Sequence, residues 1–449
     1  MKNKIITPDS ANLKAIRGMS LSFTADPFLK SPEECYTLIN DALIVMSEGR
    51  ILDIGDYAEL APRYPELTDI TRYDDALIIP GLIDCHAHYV QSPMIASCGD
   101  TLLEWLERYT FPTESKFRSK DFAAAAARQW FGAVLSQGTT TANVFATTFA
   151  ESVDAFFEES ERYNTRMICG KVLQDRNLPP SLRDASAEES VELAESLMKK
   201  WHGRGRQLYA VIPRFAPTST PRQLELAGRL YGAHVGEGVY LHTHLDEAEG
   251  EIEWVKELFP ECRTYTDVYR RYGLLGERSV MAHCCVVEEE EWRMLHDFGC
   301  GVAHCPSSNL FLGDGEFRYW EAKQADRPLN VGMATDVGGG TNFSVLRQLG
   351  EAYKVAMLQG RNLDAVRSLF LATRGGAETL RLADRIGSLE PGMEADIAVV
   401  DLAPDEFTAW RMQFCEDIFQ RLFVLTTLGS DRMIRATYVA GERVFNREK

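Results

Sequence analysis

Short apolar or β-branched runs recur along the chain, and a helix-like stretch follows each of them. The eight runs are Ala76–Pro80, Thr139–Phe145, Arg166–Val172, Tyr209–Pro213, Val239–His242, Ser279–Ala282, Cys300–Ala303 and Leu329–Ala334. The segments of helical periodicity include Asp121–Ser136, Glu188–Trp201, Pro221–Tyr231, Glu249–Leu258 and Glu288–Asp297. Strands that alternate with helices predict a parallel sheet, and eight strands are the number that closes a (β/α)8 TIM-like barrel. A doubly wound open sheet is the alternative, but the Gly-rich turn G-x-G-x-x-G that usually follows its first strand is absent.

The two ends of the chain differ from the middle. Thr37–Ser47 and Ile51–Ile54 near the N-terminus are strand-like, as are Asp396–Asp401 and Arg435–Val444 near the C-terminus. We therefore expect a small β-sandwich-like domain built from both termini, with residues 1–75 and 387–449 as its two parts. Residues 76–386 are then expected to form the barrel as one unit.

Charge and cysteine content restrict the possible partners. The 449 residues include 48 Lys and Arg against 66 Asp and Glu, a formal net charge of −18. Such a surface repels polyanions, which argues against nucleic acid and favours a neutral or cationic small molecule. No apolar run approaches the roughly 18 to 20 residues that cross a bilayer, and no secretory signal is visible, so no membrane is expected. Ten scattered cysteines without a C-x-x-C pair predict reduced thiols in a cytoplasmic protein.

The nine histidines are unevenly placed along the chain. His86 and His88 come two residues apart after the first predicted strand. In an extended segment that spacing directs both imidazoles to the same side, where they can face one metal ion. His242 and His244 repeat the spacing at the end of the fifth strand. From the residues alone, either member of this second pair is a candidate ligand.

Two further strand ends carry metal-binding residue types, His283 after the sixth strand and Asp336 after the eighth. The C-terminal ends of barrel strands converge on one face, so these groups are expected to meet. Imidazoles with one carboxylate predict a site suited to Zn²⁺, with Fe²⁺ or Mn²⁺ as alternatives. Glu247, just beyond the fifth strand, is the candidate for moving protons beside such an ion.

These motifs resemble those of the amidohydrolase superfamily. The matching elements are Pro80–His88 for P-G-x-I-D-x-H-x-H, His244 with Glu247 for H-x-x-E, His283 for the strand-six histidine, and Thr335 with Asp336 for the strand-eight T-D pair. The combination spans the barrel, which makes it much more specific than an isolated H-x-H.

Longer runs are similar to the guanine deaminases, a family within that superfamily. The similar runs are His88–Gln91, Leu103–Glu114, Pro213–Thr218, His242–Leu245, Cys305–Leu310 and Glu351–Val355. Two positions depart from the family pattern. Val90 stands where proline is usual, and Asp246 stands where cysteine is common.

The resemblance implies a role for each candidate residue. One Zn²⁺ per subunit would be held by His86, His88, His244 and Asp336. The implied catalytic residues are Glu247 as proton shuttle, His283 beside the attacking water, and Asp336. The implied substrate-binding residues are His88, Gln91, Arg214, Phe215 and Glu247. These types suit a purine, because Arg and Gln can bond its polar edges and Phe can stack on its ring.

The activity that the resemblance implies is hydrolytic deamination of guanine to xanthine and ammonia by a homodimer. One alternative is deamination of another aminated heterocycle, such as a pterin, 8-oxoguanine or a triazine. A cyclic-amide hydrolase is a second, although such enzymes commonly bridge two metals with a modified lysine after the fourth strand, where this chain has Arg214. A non-catalytic scaffold is a third, but scaffolds tend to lose ligands that are all present here.

Overall fold

Eight parallel strands and the helices around them form the larger part of the fold. The computed structural model describes residues 13–99, 102–429 and 431–447. The strands are β1 (Lys14–Phe23), β2 (Tyr36–Ser47), β3 (Arg50–Asp56), β4 (Ile70–Pro80), β5 (Leu82–His88), β6 (Thr139–Phe145), β7 (Arg166–Gly170), β8 (Val172–Leu173), β9 (Leu208–Pro213), β10 (Tyr240–Leu245), β11 (Ser279–His283), β12 (Gly301–His304), β13 (Asn330–Met333), β14 (Ile397–Asp401), β15 (Ile434–Val439) and β16 (Glu442–Asn446).

Most of the helices surround the barrel, and the others belong to the N- and C-terminal segments. They are α1 (Tyr57–Leu60), α2 (Leu102–Trp105), α3 (Phe111–Glu114), α4 (Lys120–Ser136), α5 (Ala150–Tyr163), α6 (Ala187–Trp201), α7 (Pro221–His234), α8 (Glu249–Leu258), α9 (Tyr265–Arg271), α10 (Glu289–Asp297), α11 (Pro306–Leu312), α12 (Tyr319–Ala322), α13 (Val345–Leu358), α14 (Ala365–Ala372), α15 (Arg374–Thr379), α16 (Glu406–Met412) and α17 (Ile418–Leu428). The five helices predicted from periodicity are all present, as α4, α6, α7, α8 and α10. A π-helical turn, Leu106–Thr110, joins α2 to α3.

Hydrogen bonding in the barrel follows the order β5-β6-β7-β9-β10-β11-β12-β13, and β8 prolongs the third strand beside β9. The first and last strands meet at their C-terminal ends, where the backbone N–H of Asp336 donates to the carbonyl of His86 at 2.9 Å. The N–H of His88 donates to the carbonyl of Val337 at 2.6 Å. The predicted (β/α)8 barrel is therefore confirmed, and its closing bonds involve the residues of the candidate site.

Side chains fill the barrel, and capped helices pack outside it. Buried Ile83, Phe145 and Ile212 belong to the cluster inside the strands, so the barrel has a packed interior rather than a pore. Outside, Ser119 accepts a hydrogen bond from the N–H of Phe122 and so caps α4. The same device begins α6 and α7, which explains why these helices start where the sequence pattern predicted.

One predicted barrel strand was wrong. Ala76–Pro80 lies in β4, which pairs antiparallel with β14 and parallel with β1 in a separate sheet. The first barrel strand is instead β5, which begins just after Gly81 and contains His86 and His88 rather than preceding them. Both runs are apolar and buried, so composition does not distinguish them. A Cβ at Gly81 would lie 2.1 Å from Thr140 Oγ1, so only glycine lets the chain cross between sheets here.

The separate sheet combines both ends of the chain. Its order is β16-β15-β14-β4-β1-β2-β3, with β1 to β4 from the N-terminal part and β14 to β16 from the C-terminal part. The predicted terminal β-domain is thus confirmed, while its bounds at residues 75 and 387 stay a prediction. The C-terminal segment also contributes α17, which packs on the barrel helix α13 through Tyr353 and Phe423, with ring centroids 4.8 Å apart.

Buried ion pairs join this sheet to the base of the barrel. Arg166, at the start of β7, donates from Nε to Glu394 at 2.7 Å. Arg206, just before β9, donates to Glu394 at 3.1 Å and to Asp396 at 3.0 Å. None of the helices in the described ranges is long and apolar enough to cross a membrane.

Candidate metal centre and adjoining pocket

The candidate ligands come from three parts of the barrel and meet at its C-terminal face. His86 and His88 are the last inward-facing residues of β5, His244 lies near the end of β10, and Asp336 follows β13 by three residues. All four side chains are buried. Asp336 has a φ of 46°, in the left-handed region that is uncommon for non-glycine residues. The barrel thus holds a strained backbone where it directs a carboxylate inward.

The distances between ligand atoms are those of a compact cluster. His88 Nε2 and His244 Nε2 lie 3.2 Å apart. Asp336 Oδ1 lies 3.2 Å from His86 Nε2 and 3.5 Å from His88 Nε2. Candidate ligand atoms of His86, His88 and His244 all fall within 4.8 Å of one another. The structure therefore brings together all four predicted ligands.

Hydrogen bonds fix which imidazole nitrogens remain free. His244 Nδ1 lies 2.8 Å from the carbonyl oxygen of Arg214, and because a carbonyl only accepts, Nδ1 carries the proton and Nε2 has a free lone pair. His86 Nε2 is buried and makes no hydrogen bond within the described part of the chain. Buried, unbonded nitrogens beside a carboxylate are costly unless a cation binds there. The donor set fits a divalent ion.

The imidazoles also favour the neutral form, which is the form that metal ligands require. Burial, with a smaller contribution from the charge of Arg214, lowers the pKa of His86 to about 3. Burial likewise lowers the pKa of His88 and of His244 well below the usual value. Neutral imidazoles are the form that binds metals. Burial raises the pKa of Asp336, as expected for a carboxyl group removed from water.

His242, the other member of the second H-x-H pair, does not point at Asp336. Its Nε2 lies 2.8 Å from His86 Nδ1. In the tautomer that leaves His86 Nε2 free for a metal ion, His86 Nδ1 donates this bond, and His242 is then a neighbouring group that orients a ligand. Cys305 was not a predicted ligand, yet its thiol lies within reach of His86, His283 and Asp336. Burial raises its pKa well above the usual value, which disfavours the thiolate.

Two candidate catalytic groups lie beside this cluster. His283 Nδ1 is 3.4 Å from Glu247 Oε1, and His283 Nε2 is 3.9 Å from Asp336 Oδ2. Burial and the charge of Asp314 raise the pKa of Glu247 well above its usual value. Glu247 therefore holds a proton more tightly than an exposed glutamate does. This is the property of a general acid, and it arises next to the predicted ligands.

The two departures from the family pattern lie at the edge of this arrangement. Asp246 is buried, and burial together with the charge of Glu291 raises its pKa well above the usual value. Val90 is a fully buried core residue that packs outside the pocket.

A pocket opens directly onto the cluster. Its lining includes His88, Gln91, Arg214, Phe215, His244, Glu247 and Asp336. Ligand pockets usually combine apolar walls with a few placed polar groups, as this one does. Every predicted substrate-binding residue therefore lines the same cavity. The ring of Phe215 packs between His244, 6.5 Å away between centroids, and Trp254, 6.1 Å away.

One residue of this pocket region was missed at the sequence level. Glu114 is fully buried and ion-pairs with Arg214, with Oε2 2.9 Å from Nη1. It also accepts a hydrogen bond from Gln91 Nε2 at 2.9 Å. A glutamate at the end of a short helix 100 residues before its partner carries no periodic or spacing signal. Its location in a run that resembles the family was the only available indication.

Comparison with known proteins places the chain in a family. Residues 77–444 match the model of the Amidohydrolase family. The chain is 42% identical over 438 residues to a guanine deaminase of Escherichia coli (strain K12), covering 97% of this chain and 98% of that protein. The solved structure of E. coli guanine deaminase matches with a TM-score of 0.93, 42% identity and coverage of 97% and 100%. Guanine deaminase from C. acetobutylicum, solved with bound guanine in the active site, matches with a TM-score of 0.86, 27% identity and the same coverage. The chain therefore belongs to the amidohydrolase family and, within it, to the guanine deaminases, which are hydrolases of carbon–nitrogen bonds.

Proposed function

We propose that this protein is a zinc-dependent enzyme that hydrolyses guanine to xanthine and ammonia in purine catabolism. The observation that carries the proposal is the meeting of a three-histidine, one-aspartate cluster with a pocket lined by Gln91, Arg214 and Phe215. Each half alone is compatible with other chemistry. Together they suit attack by water on a planar, polar-edged ring.

The residues that would hold the zinc ion are His86, His88, His244 and Asp336. Neutral imidazole nitrogens and a carboxylate oxygen are ligand types that zinc binds in catalytic sites, and Fe²⁺ or Mn²⁺ fits the same donor set. When bound, the ion supplies the Lewis acidity that makes water nucleophilic near neutral pH. Arg214 in place of a lysine after the fourth strand supports a single ion per subunit.

The protein's own groups handle the protons. In the proposed reaction water adds to C2 of guanine, the C2–N2 bond breaks, and xanthine and ammonia form. Glu247 in its protonated form donates to ring N3 as Asp336 takes the first proton from the attacking water. A second transfer through Glu247 delivers the remaining water proton to the amino group, and the proton held by Asp336 restores Glu247. Proton transfer by such a positioned group contributes about 10²- to 10⁴-fold to the rate.

His283 orients the attacking water. Asn309 Nδ2 donates to His283 Nδ1 at 2.9 Å, which places the imidazole proton on Nε2, the nitrogen that faces Asp336. From there His283 can donate a hydrogen bond to the water oxygen. The purine itself would be held by Arg214 and Gln91 along its polar edges and by Phe215 against its ring face.

An assay with purified, zinc-loaded protein tests the proposal. We expect stoichiometric loss of guanine and appearance of xanthine and ammonia, and loss of all three signals in chelator-treated protein. A zinc-replete preparation that releases no ammonia from guanine contradicts the proposal. A parallel panel containing a pterin, 8-oxoguanine and an aminotriazine identifies the alternative deaminases, and a cyclic amide identifies the alternative hydrolase.

We also propose a homodimer located in the cytoplasm, as the family resemblance implies. All ten cysteines are free thiols, in keeping with a reducing compartment. Phe407, Trp410 and Phe414 form an aromatic surface on and after α16, each side chain more than half exposed, with neighbouring ring centroids 5.8 and 5.0 Å apart. Aromatic residues are enriched at protein interfaces. Light scattering should give a dimer for the parent protein and a monomer for Trp410→Asp.

A further inference from the structure

Glu114 is a buried carboxylate at the edge of the substrate pocket that the proposed reaction does not use. It is the last residue of α3 and has no exposed surface. Its two oxygens accept three hydrogen bonds from two pocket residues. Arg214 Nη1 donates to Oε2 at 2.9 Å and to Oε1 at 3.1 Å, and Gln91 Nε2 donates to Oε1 at 2.9 Å.

These bonds fix how both partners face the pocket. The Gln91 amide is held at both ends, because its Oε1 also accepts from the backbone N–H of Gly338 at 3.2 Å. Reversing this amide would bring its oxygen against the Glu114 carboxylate. Arg214 uses only Nη1 for Glu114, so its Nε and Nη2 groups keep N–H donors for a ligand.

The same contacts set the charge of the pocket. Arg214 and Glu114 are both buried, and a buried guanidinium without its carboxylate would be a strong attractor of anions. With Glu114 present the pair is neutral overall. Guanine is neutral at physiological pH. Xanthine, which carries a second ring carbonyl in place of the amino group, loses a ring proton more readily and becomes an anion.

We propose that Glu114 is a positioning and specificity-determining residue that makes the pocket favour a neutral purine over its anionic product. It does so by orienting Gln91 and Arg214 and by cancelling the charge of Arg214. This inference rests on the proposed function, because it assigns guanine and xanthine to the pocket. Its consequence is that the anionic product is bound weakly and released.

The test compares xanthine binding by calorimetry at pH 6, where xanthine is mostly neutral, with binding at pH 9, where it is anionic. Zinc-loaded parent protein, Glu114→Gln and the control Glu107→Gln are measured in parallel. Glu107 is exposed and lies two helical turns earlier, so its replacement makes the same change in net charge outside the pocket. We expect Glu114→Gln to raise the affinity for anionic xanthine at pH 9, relative to that for neutral xanthine at pH 6, by roughly tenfold, or about 1.4 kcal/mol. Glu107→Gln should show the same ratio of affinities as the parent protein.

Glu114→Asp separates orientation from charge. This variant keeps the carboxylate but shortens its reach. We therefore expect the ratio of its xanthine affinities at the two pH values to equal that of the parent protein. The KM for guanine should rise roughly tenfold, a loss of about 1.4 kcal/mol in binding. This variant also covers the case in which Glu114→Gln does not fold, as judged by thermal unfolding and bound zinc. An unchanged KM in Glu114→Asp overturns the orienting role.

The remaining outcomes are distinct. The charge role is overturned if folded, zinc-loaded Glu114→Gln shows the same ratio of xanthine affinities at pH 6 and pH 9 as the parent protein. A parent protein that binds xanthine but releases no ammonia from guanine defeats the proposed function, while the binding comparison still decides the role of Glu114. A parent protein that binds xanthine at neither pH overturns the charge role of Glu114, while the release of ammonia from guanine still decides the proposed function.

Discussion

The Nδ1 of His244 donates a hydrogen bond to the backbone carbonyl oxygen of Arg214 at 2.8 Å. One residue is a proposed zinc ligand and the other a proposed purine-binding residue. His244 lies near the end of β10, and Arg214 directly follows the neighbouring strand β9. The bond orients the ligand through the same backbone segment that positions the guanidinium. The proposed metal site and the proposed substrate site therefore share one corner of the barrel, and supporting contacts of this kind are what precise catalytic sites require.

His242 should govern metal affinity without binding the metal. Its Nε2 lies 2.8 Å from His86 Nδ1, so His242→Leu removes the group that orients this proposed ligand. Loss of such a supporting contact typically costs about 10- to 100-fold in metal affinity. Competition with a chelator of known affinity measures the change. His242→Gln, which keeps an acceptor, is the matched control and should retain most of the affinity. Equal affinity in His242→Leu and the parent would remove this role.

The barrel and the ligand set could be predicted from sequence because both depend on local signals. Strand-to-helix alternation is visible along the chain, and residue types at strand ends indicate what converges on one face. The choice between His242 and His244 could not be made from spacing, since both belong to an H-x-H pair. The structure distinguishes them by neighbours: His244 faces His88, whereas His242 faces the far nitrogen of His86.

Partners that are distant in sequence account for what was wrong or missed. The run Ala76–Pro80 has the composition of a barrel strand, but pairing with β14, more than 300 residues later, places it in the terminal sheet. Glu114 is similar, because its importance arises from contacts with Gln91 and Arg214 that only the folded chain creates. Neither pairing leaves a periodic trace in the segments themselves.

Glu247→Gln should retain zinc and lose turnover. The amide has nearly the shape of the carboxyl but cannot release and regain a proton, so kcat is expected to fall by about 10²- to 10⁴-fold. Zinc content, measured by elemental analysis, should stay near one ion per subunit because Glu247 is not among the proposed ligands. Glu249→Gln, an exposed neighbour at the start of α8, is the matched control and should keep parental activity. Parental turnover in Glu247→Gln would refute its proton-transfer role.

Phe215→Ala should weaken substrate binding more than chemistry. The Phe215 ring lines the pocket and packs against His244 and Trp254, so its loss removes the proposed stacking face. Stacking of a base on an aromatic ring contributes about 1–3 kcal/mol, which corresponds to roughly a 5- to 150-fold rise in KM. Steady-state kinetics with guanine measures the change, and exposed Phe298→Ala provides a control. A fall in kcat at unchanged KM would contradict stacking on the bound purine.

Glu394→Gln should destabilise the protein at neutral pH, and the effect should shrink in acid. Burial tends to raise the pKa of Glu394, but hydrogen bonds and charges from Arg166 and Arg206 outweigh it and hold the pKa below the ordinary 4.5. The folded protein therefore binds this proton less readily than the unfolded chain does. Its stabilising contribution is present above about pH 4.5 and is lost as the pH falls through the lowered value.

The size of this effect follows from burial. Removing one partner of a buried ion pair typically costs about 3–5 kcal/mol, whereas an exposed pair contributes about 0–1 kcal/mol. Urea unfolding of Glu394→Gln should therefore show a loss of about 3 kcal/mol at pH 7, near the lower limit because Arg206 keeps Asp396. The loss should be smaller at about pH 3.5, where the unfolded chain already binds this proton. Glu442→Gln removes the exposed pair with Lys14 in the same sheet and should change stability by less than about 1 kcal/mol. A deficit for Glu394→Gln that stays constant or grows in acid would show that the ion pairs at the base of the barrel do not contribute in this way.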